Sequence, residues 1–182
     1  AGSAGKPVLK VETVSVDDAC SEVPRGTVGA IVHRSPQLLT GYFRDEAKTA
    51  EAFAGGWFHS GDLGVMDEEG YITVVDRKKD MIKTGGENVA SREVEEMVYR
   101  MPGVSEVAVV ALSDPRWVEA VTAVVVVTFC EELDEATVIA HCKDHLAHFK
   151  CPKRVIFADN LPRNPSGKIL KRNLRALYEG SG

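Results

Sequence analysis

The stretch DRKKDMIKTGGENV, residues 76–89, separates two halves of this 182-residue chain that differ in the period of their apolar residues. Upstream, PVLKVETVSV (7–16) and TVGAIVHR (27–34) are rich in β-branched residues and partly alternate, which predicts two strands around a turn-like stretch at 20–26. DEAKTAEAFA (45–54) opens on Asp45, a side chain suited to an N-cap, and runs into Gly55 and Gly56, the pattern of a short helix. Val65 and Met66, then DEEG, then 71–75 read as a hairpin with Gly70 where φ turns positive.

Downstream of the stretch, the glycine pair 85 and 86 precedes a helix expected from Ser91, with Val94, Met97, Val98 and Met101 at helical spacing and a stop at Pro102 and Gly103. Strands are expected over 104–112 and 118–129; AVTAVVVVTF (120–129) is so continuously apolar that both its faces should be covered, as in a central strand. A helix capped by Asp134 is expected to reach about residue 149, followed by an edge strand at 154–158 and a last helix carrying Leu170, Leu174 and Leu177. The expected fold is mixed α/β: a β-rich part, 1–78, followed by an α+β part, 79–182. The five consecutive charged residues at the join, 76–80, suit a solvated turn or a hinge.

With 44% hydrophobic residues the chain can bury one good core or two small ones. No apolar run approaches the roughly 18–20 residues a membrane-spanning helix needs, and residues 1–20 lack a basic start followed by an apolar core, so a cytoplasmic placement is expected. Cys20, Cys130, Cys142 and Cys151 form no Cys-x-x-Cys pair, and reduced thiols are expected. His141, His145 and His148 share one helical face and could hold a metal with Cys142; against this, Ile139, Cys142, Leu146 and Phe149 make the apolar stripe, which turns the histidines to solvent, and no metal site is expected. The net charge of −5 conceals an asymmetry, since residues 150–175 hold eight Lys or Arg against Asp159 alone. A basic segment of +7 on a remainder of −12 suits a small polyanion better than long nucleic acid, which the acidic remainder would repel.

Three short patterns can carry chemistry. Asp62 in HSGD is a short-loop acid, able to bond its own backbone or a ligand. PSGK (165–168) has the small residues that let a lysine approach phosphate, without the Walker spacing. KTGGEN (83–88) offers close backbone approach or simply a tight turn into the next helix.

In order, GYF (41–43), GWFHSGD (56–62), DRKKDMIKTGGENV (76–89), FKCPKR (149–154) and LPRNPSGKIL (161–170) resemble the adenylate-forming superfamily: acyl-CoA and aryl-CoA synthetases, luciferases and peptide-synthetase adenylation domains. The resemblance covers nearly the whole chain and is greatest to fatty-acyl-CoA or aryl-CoA ligases. It implies that Asp62 binds both ribose hydroxyls of the nucleotide, that Arg77 also contacts the nucleotide, and that Lys168 reaches the α-phosphate and the substrate carboxylate during adenylation. It further implies a hinge near Lys79, about which the C-terminal part swings as a lid so that the Lys83 segment, with Gly85, Gly86 and Glu87, faces the site for thioester formation.

For CoA the resemblance names Trp117, Phe149 and Lys153, although Trp117 and Phe149 also fit packing roles. Departures are Cys151 in place of a residue basic in some relatives, Val118 where glycine is common, and Ala90 and Ser91 where tyrosine and proline are usual. The implied cosubstrates are ATP with Mg2+, the ion held mainly by an upstream part, and CoA. That upstream part of the same enzyme, expected before Ala1, would supply the phosphate loop and acyl pocket; this part alone is expected to be inactive. Small molecules are the expected partners, with no nucleic acid. The remaining alternatives are an enzyme loading a carrier protein and a non-catalytic nucleotide- or nucleic-acid-binding module.

Overall fold

Two units, Ala1–Lys79 and Asp80–Gly182, make up the chain, and the structure, a computed structural model, describes residues 2–129 and 133–179 of it. In the first unit β1 (Glu12–Val16), β2 (Val28–Arg34), β3 (Phe58–Met66) and β4 (Ile72–Arg77) pair antiparallel in sequence order. Alternation along β2 sends Ala30 and Val32 to one face, with Val16, Trp57 and Leu63, and Ile31 to the other, with Met66, Ile72 and Val74. Both faces of this sheet therefore carry small apolar clusters. Helix α1 (Glu46–Ala52) begins as expected, the Asp45 carboxylate accepting from Lys48 N at 2.9 Å. The strand expected from residue 7 begins only at Glu12: Lys10 takes φ +66, Val11 N bonds Val8 O, and Val8 and Leu9 are exposed. Pro7 brings no ladder donor to this stretch.

The second unit is an α+β sandwich built on one strand. Around β8 (Val118–Val127) the sheet order is β6-β5-β8-β7, and β9 also pairs with β8 in parallel. Its members are β5 (Ile82–Thr84), β6 (Glu87–Val89), β7 (Val104–Asp114) and β9 (Arg154–Phe157), with helices α2 (Ser91–Tyr99), α3 (Glu135–His145) and α4 (Lys171–Tyr178). The apolar run predicted a central strand, and both faces of β8 are covered. Val121, Ala123 and Val125 pack under α2 and α3 with Val94, Val98, Val138 and Cys142, while Val124 packs with Ala108, Val110, Leu161 and Leu174 of α4 on the other side. Each fully buried valine contributes roughly 1.5 kcal/mol or more by leaving water.

Four expectations change here. The segment after Thr84 turns into β6 rather than directly into a helix, so β5 and β6, each of three residues, escaped the pattern. Helix α3 stops at His145, and Phe149 lies in a separate 3-10 turn, His148–Lys150, which starts the return of the chain to β8. Phe149 thus leaves the α3 stripe and is 37% exposed. Nor do all the histidines face water, since His141 Nε2 reaches Met97 O at 3.2 Å between α3 and α2, while His145 Nδ1 lies 2.8 Å from His141 O. In α4 Leu174 is buried but Leu177 is exposed, and Tyr178 packs in its stead. Among the described residues Cys20, Cys142 and Cys151 are free thiols, and no helix is long and apolar enough to cross a membrane. Cys130 lies outside the described residues.

Candidate active site

In the first unit the nucleotide candidates face each other across two strands. Asp62 on β3 is the register partner of Arg77 on β4, and Arg77 Nε lies 3.2 Å from Asp62 Oδ1. A register shift between Leu63 and Gly64, after Gly61 at φ +79, marks the place. Ser60 fixes the approach: its hydroxyl donates to Ile31 O at 2.9 Å and accepts from Asp62 N at 3.1 Å. The Arg77 amide is held by the buried Asp76 carboxylate at 2.7 Å. The pair uses one oxygen and one nitrogen. Among the described residues, Asp62 Oδ2 and the two terminal nitrogens of Arg77 make no hydrogen bond, which leaves an acceptor and a charged fork for a ligand. Asp62 also lines a cavity of about 290 Å³ with Ser60, His33 and Thr13. Burial holds the His33 imidazole below its ordinary value, the Asp62 charge acting the other way, and Thr13 Oγ1 lies 2.9 Å from His33 Nδ1.

The unit boundary falls after Lys79, within a 3-10 turn, Lys78–Asp80. Beyond it Gly85 and Gly86, with φ +57 and +87, form the two-residue turn joining β5 to β6, a conformation that β-carbon-bearing residues resist. Lys83 on β5 is exposed, and its amide donates to Glu119 Oε2 at 2.6 Å. Glu87 is exposed at the far end of the turn.

Three of the residues named for CoA come together here. Gly85 N donates to Trp117 O at 2.9 Å, and a β-carbon on Gly85 would meet Trp117 Cε3 at 3.1 Å. Lys153 Nζ lies 5.0 Å from the centre of the Trp117 ring and donates to His148 O. Arg116, which lies in none of the motifs quoted above, is 4.7 Å from the same ring. Burial lowers the Lys153 pKa, and the charges of Lys143 and Arg116 lower it further against the opposing effect of Cys151. Phe149 instead has Lys150 as its cationic neighbour, at 5.9 Å. Val118, next to Trp117, is held at φ +68 although β-branched.

Lys168 closes a loop organised by a residue the motif reading passed over, Asn164. Its Oδ1 accepts from Ser166 N, Ser166 Oγ and Lys168 N, while Gly167 N donates to Asn164 O. An Asn followed by Pro-Ser-Gly is the available sequence signal for such a turn. The loop amides are thus turned inward and do not cradle an anion; what the loop offers outward is the exposed Lys168 side chain. Arg163 braces the loop, Nη1 donating to Gly167 O and Nη2 lying 2.8 Å from Glu106 Oε2. Acids engage several cations of the basic segment: Lys150 with Glu93, Arg163 with Glu106, Lys171 with Glu95 and Arg175 with Asp80.

Residues 93–168 match the family model of the AMP-binding enzyme C-terminal domain. Over 181 residues the chain is 43% identical to a long-chain-fatty-acid–CoA ligase, FadD13, of Mycobacterium tuberculosis, covering 100% of this chain and 36% of that relative. It is 40% identical to a 2-succinylbenzoate–CoA ligase of Bacillus cereus, covering 98% of this chain and 36% of that protein. The ATP-bound crystal structure of MatB from Rhodopseudomonas palustris superposes with a TM-score of 0.93 at 41% identity, over 99% of this chain and 36% of that one. The chain therefore spans about a third of the length of the curated relatives it matches. With both units matched, the chain belongs to the adenylate-forming superfamily and corresponds to the C-terminal portion of its acyl-CoA synthetases.

Proposed function

We propose that the chain supplies the nucleotide-gripping and lid elements of an ATP-dependent, AMP-forming acyl-CoA synthetase acting on fatty or aryl acids. The observation that carries this reading is the half-used Asp62–Arg77 pair, with an acceptor and a guanidinium fork available for a ribose and its phosphate. A carboxylate is a poor acyl donor, so the first step joins its oxygen to the α-phosphorus of ATP and expels pyrophosphate. Asp62 accepts from the ribose hydroxyls, Arg77 clamps nucleotide oxygens, and the Lys168 ammonium offsets the charge on the α-phosphate and the attacking carboxylate as the bond forms. From this chain the cations offered to phosphate are the side chains of Arg77 and Lys168, while the Mg2+ that accompanies ATP would be held mainly by the upstream portion.

In the second step a thiol attacks the acyl carbon and AMP leaves. Rotation at Lys79 withdraws Lys168 and presents the Lys83 strand and the Gly85–Gly86 turn, whose missing β-carbons leave room for a slender pantetheine arm. The indole of Trp117, flanked by Arg116 and Lys153, favours CoA over a carrier protein as acceptor, because an aromatic face beside cations suits a purine and its phosphates. The test joins this chain to an upstream portion of the kind its relatives possess and follows pyrophosphate release with ATP and a panel of fatty and aryl acids, then thioester formation with CoA. Acid-dependent pyrophosphate release followed by acyl-CoA is expected. Faster transfer to a phosphopantetheinyl carrier protein than to CoA would overturn the choice of acceptor, and no acid-dependent release from any acid would overturn the reading.

A further inference from the structure

Lys168 lies at the end of a loop that feeds directly into α4, and α4 is pinned at two points one turn apart. At its start Lys171 Nζ lies 2.7 Å from Glu95 Oε1 and donates to Ser91 Oγ, both on α2. One turn later Arg175 Nη2 lies 2.7 Å from Asp80 Oδ1, with the two side chains 26% and 12% exposed. Leu174, between them, is 1% exposed. Residues four apart share a helix face, so both pins act on one side of α4. Asp80 is the first residue of the second unit, immediately after Lys79. On the other side of that boundary Lys78 Nζ pairs with Asp18 at 2.7 Å, but Asp18 is 91% exposed and its pair is screened by water. The Asp80 side is thus held by a restraint shielded from water.

We infer that Arg175 is a positioning residue for Lys168: through Asp80 it locks the helix behind the lysine loop to the residue at which the second unit begins, so that the loop travels with the boundary as one body. The inference rests on the two-pose reading above. It makes the placement of Lys168 depend on an ion pair 95 residues apart in sequence.

The test uses the enzyme carrying both this chain and the upstream portion, and follows pyrophosphate release separately from thioester formation with supplied acyl-adenylate. Arg175→Met and Asp80→Asn are each expected to slow adenylation about tenfold and to change thioester formation less than twofold. The exchanged pair, Asp80→Arg with Arg175→Asp, should recover at least a third of the lost rate, and Arg175→Lys should fall between. A merely structural contact would instead lower the thermal midpoint and slow both steps together. Equal loss in both steps, no loss in either, or no recovery by the exchanged pair overturns the inference, and if Arg175→Met does not fold, Arg175→Lys and the exchanged pair decide it. Lys79→Pro separates the two ideas. If it leaves thioester formation unchanged, the two-pose reading fails while the dependence of adenylation on Arg175 is still measured; if it slows thioester formation and Arg175→Met is neutral, this inference alone fails.

Discussion

Lys168→Ala should remove a cation aimed at the α-phosphate and, in the assembled enzyme, slow pyrophosphate release by about 10² to 10³, with supplied acyl-adenylate still reacting with CoA near the normal rate. Lys83→Ala should do the reverse; rapid-quench assays of each half-reaction check both. The thiols give a second prediction. Burial first, and then the neighbouring Cys151, raises the Cys142 pKa to about 11, and burial raises that of Cys151 as well. A thiol raised in the folded state stabilises the fold fully below its ordinary value and loses that contribution as pH rises through the raised one. Denaturation midpoints should thus begin to fall above the ordinary thiol range and continue falling to about pH 11. At pH 8 alkylation followed by peptide mass spectrometry should mark half-buried Cys20 well before Cys142 or Cys151. Of the residues proposed for the site, Asp62, Arg77 and Lys168 stand out in the sequence because each lies inside a dense local motif. Asn164 offers only the turn signal of an Asn before Pro-Ser-Gly, because its side chain folds back on its own loop, and Arg175 offers none, because it acts through a partner at the far end of the unit.

The β5–β6 hairpin shows what local sequence conveys about an element and what it omits. Two adjacent glycines announce a turn, yet with only three residues on either side no alternation can develop; β6 is defined by its pairing with β5, and β5 by Val118 of β8 and the Glu119 carboxylate. Helices α1 and α3 were legible at their starts because Asp45 and Asp134 cap Lys48 and Thr137 directly. The end of α3 was not, because Leu146 leaves the helix without a glycine or proline to signal it, and the next turn is dictated by β9 lying beside β8. Gly85→Ala is expected to cost about 1–2 kcal/mol, since the residue must hold φ +57 with its new carbon against the Trp117 ring. In the assembled enzyme it should also slow thioester formation more than adenylation. Val118→Gly is expected to stabilise by up to about 1 kcal/mol, relief of the left-handed conformation exceeding the backbone entropy that glycine adds to the unfolded chain. Urea denaturation of the two variants measures both.

For the molecule as a whole, the change of apolar period at residues 76–89 lies beside the division into two units, Ala1–Lys79 and Asp80–Gly182. Lys79→Pro fixes φ at that division, and in the assembled enzyme it should spare pyrophosphate release while slowing thioester formation, as separate assays of the two steps would register. The basic tail misled when read as bare charge. Acids distant in sequence pair with Lys150, Arg163, Lys171 and Arg175, so the field a ligand meets is narrower than the count of lysines and arginines suggested. The parallel pairing of β9 with β8 bears on how the second unit is made. β7 and β8 are joined by a short turn and can zip together as soon as both exist, whereas β9 must wait for the long crossover through α3 to close, a loop whose entropy is lost before any ladder bond repays it. Valine-to-alanine changes in the β7–β8 hairpin, such as Val109→Ala, should therefore slow refolding, while Val155→Ala on β9 should mainly hasten unfolding. A chain still emerging from the ribosome would hold its central hairpin, with one face of β8 uncovered, until Leu161 and Leu174 arrive to close over it.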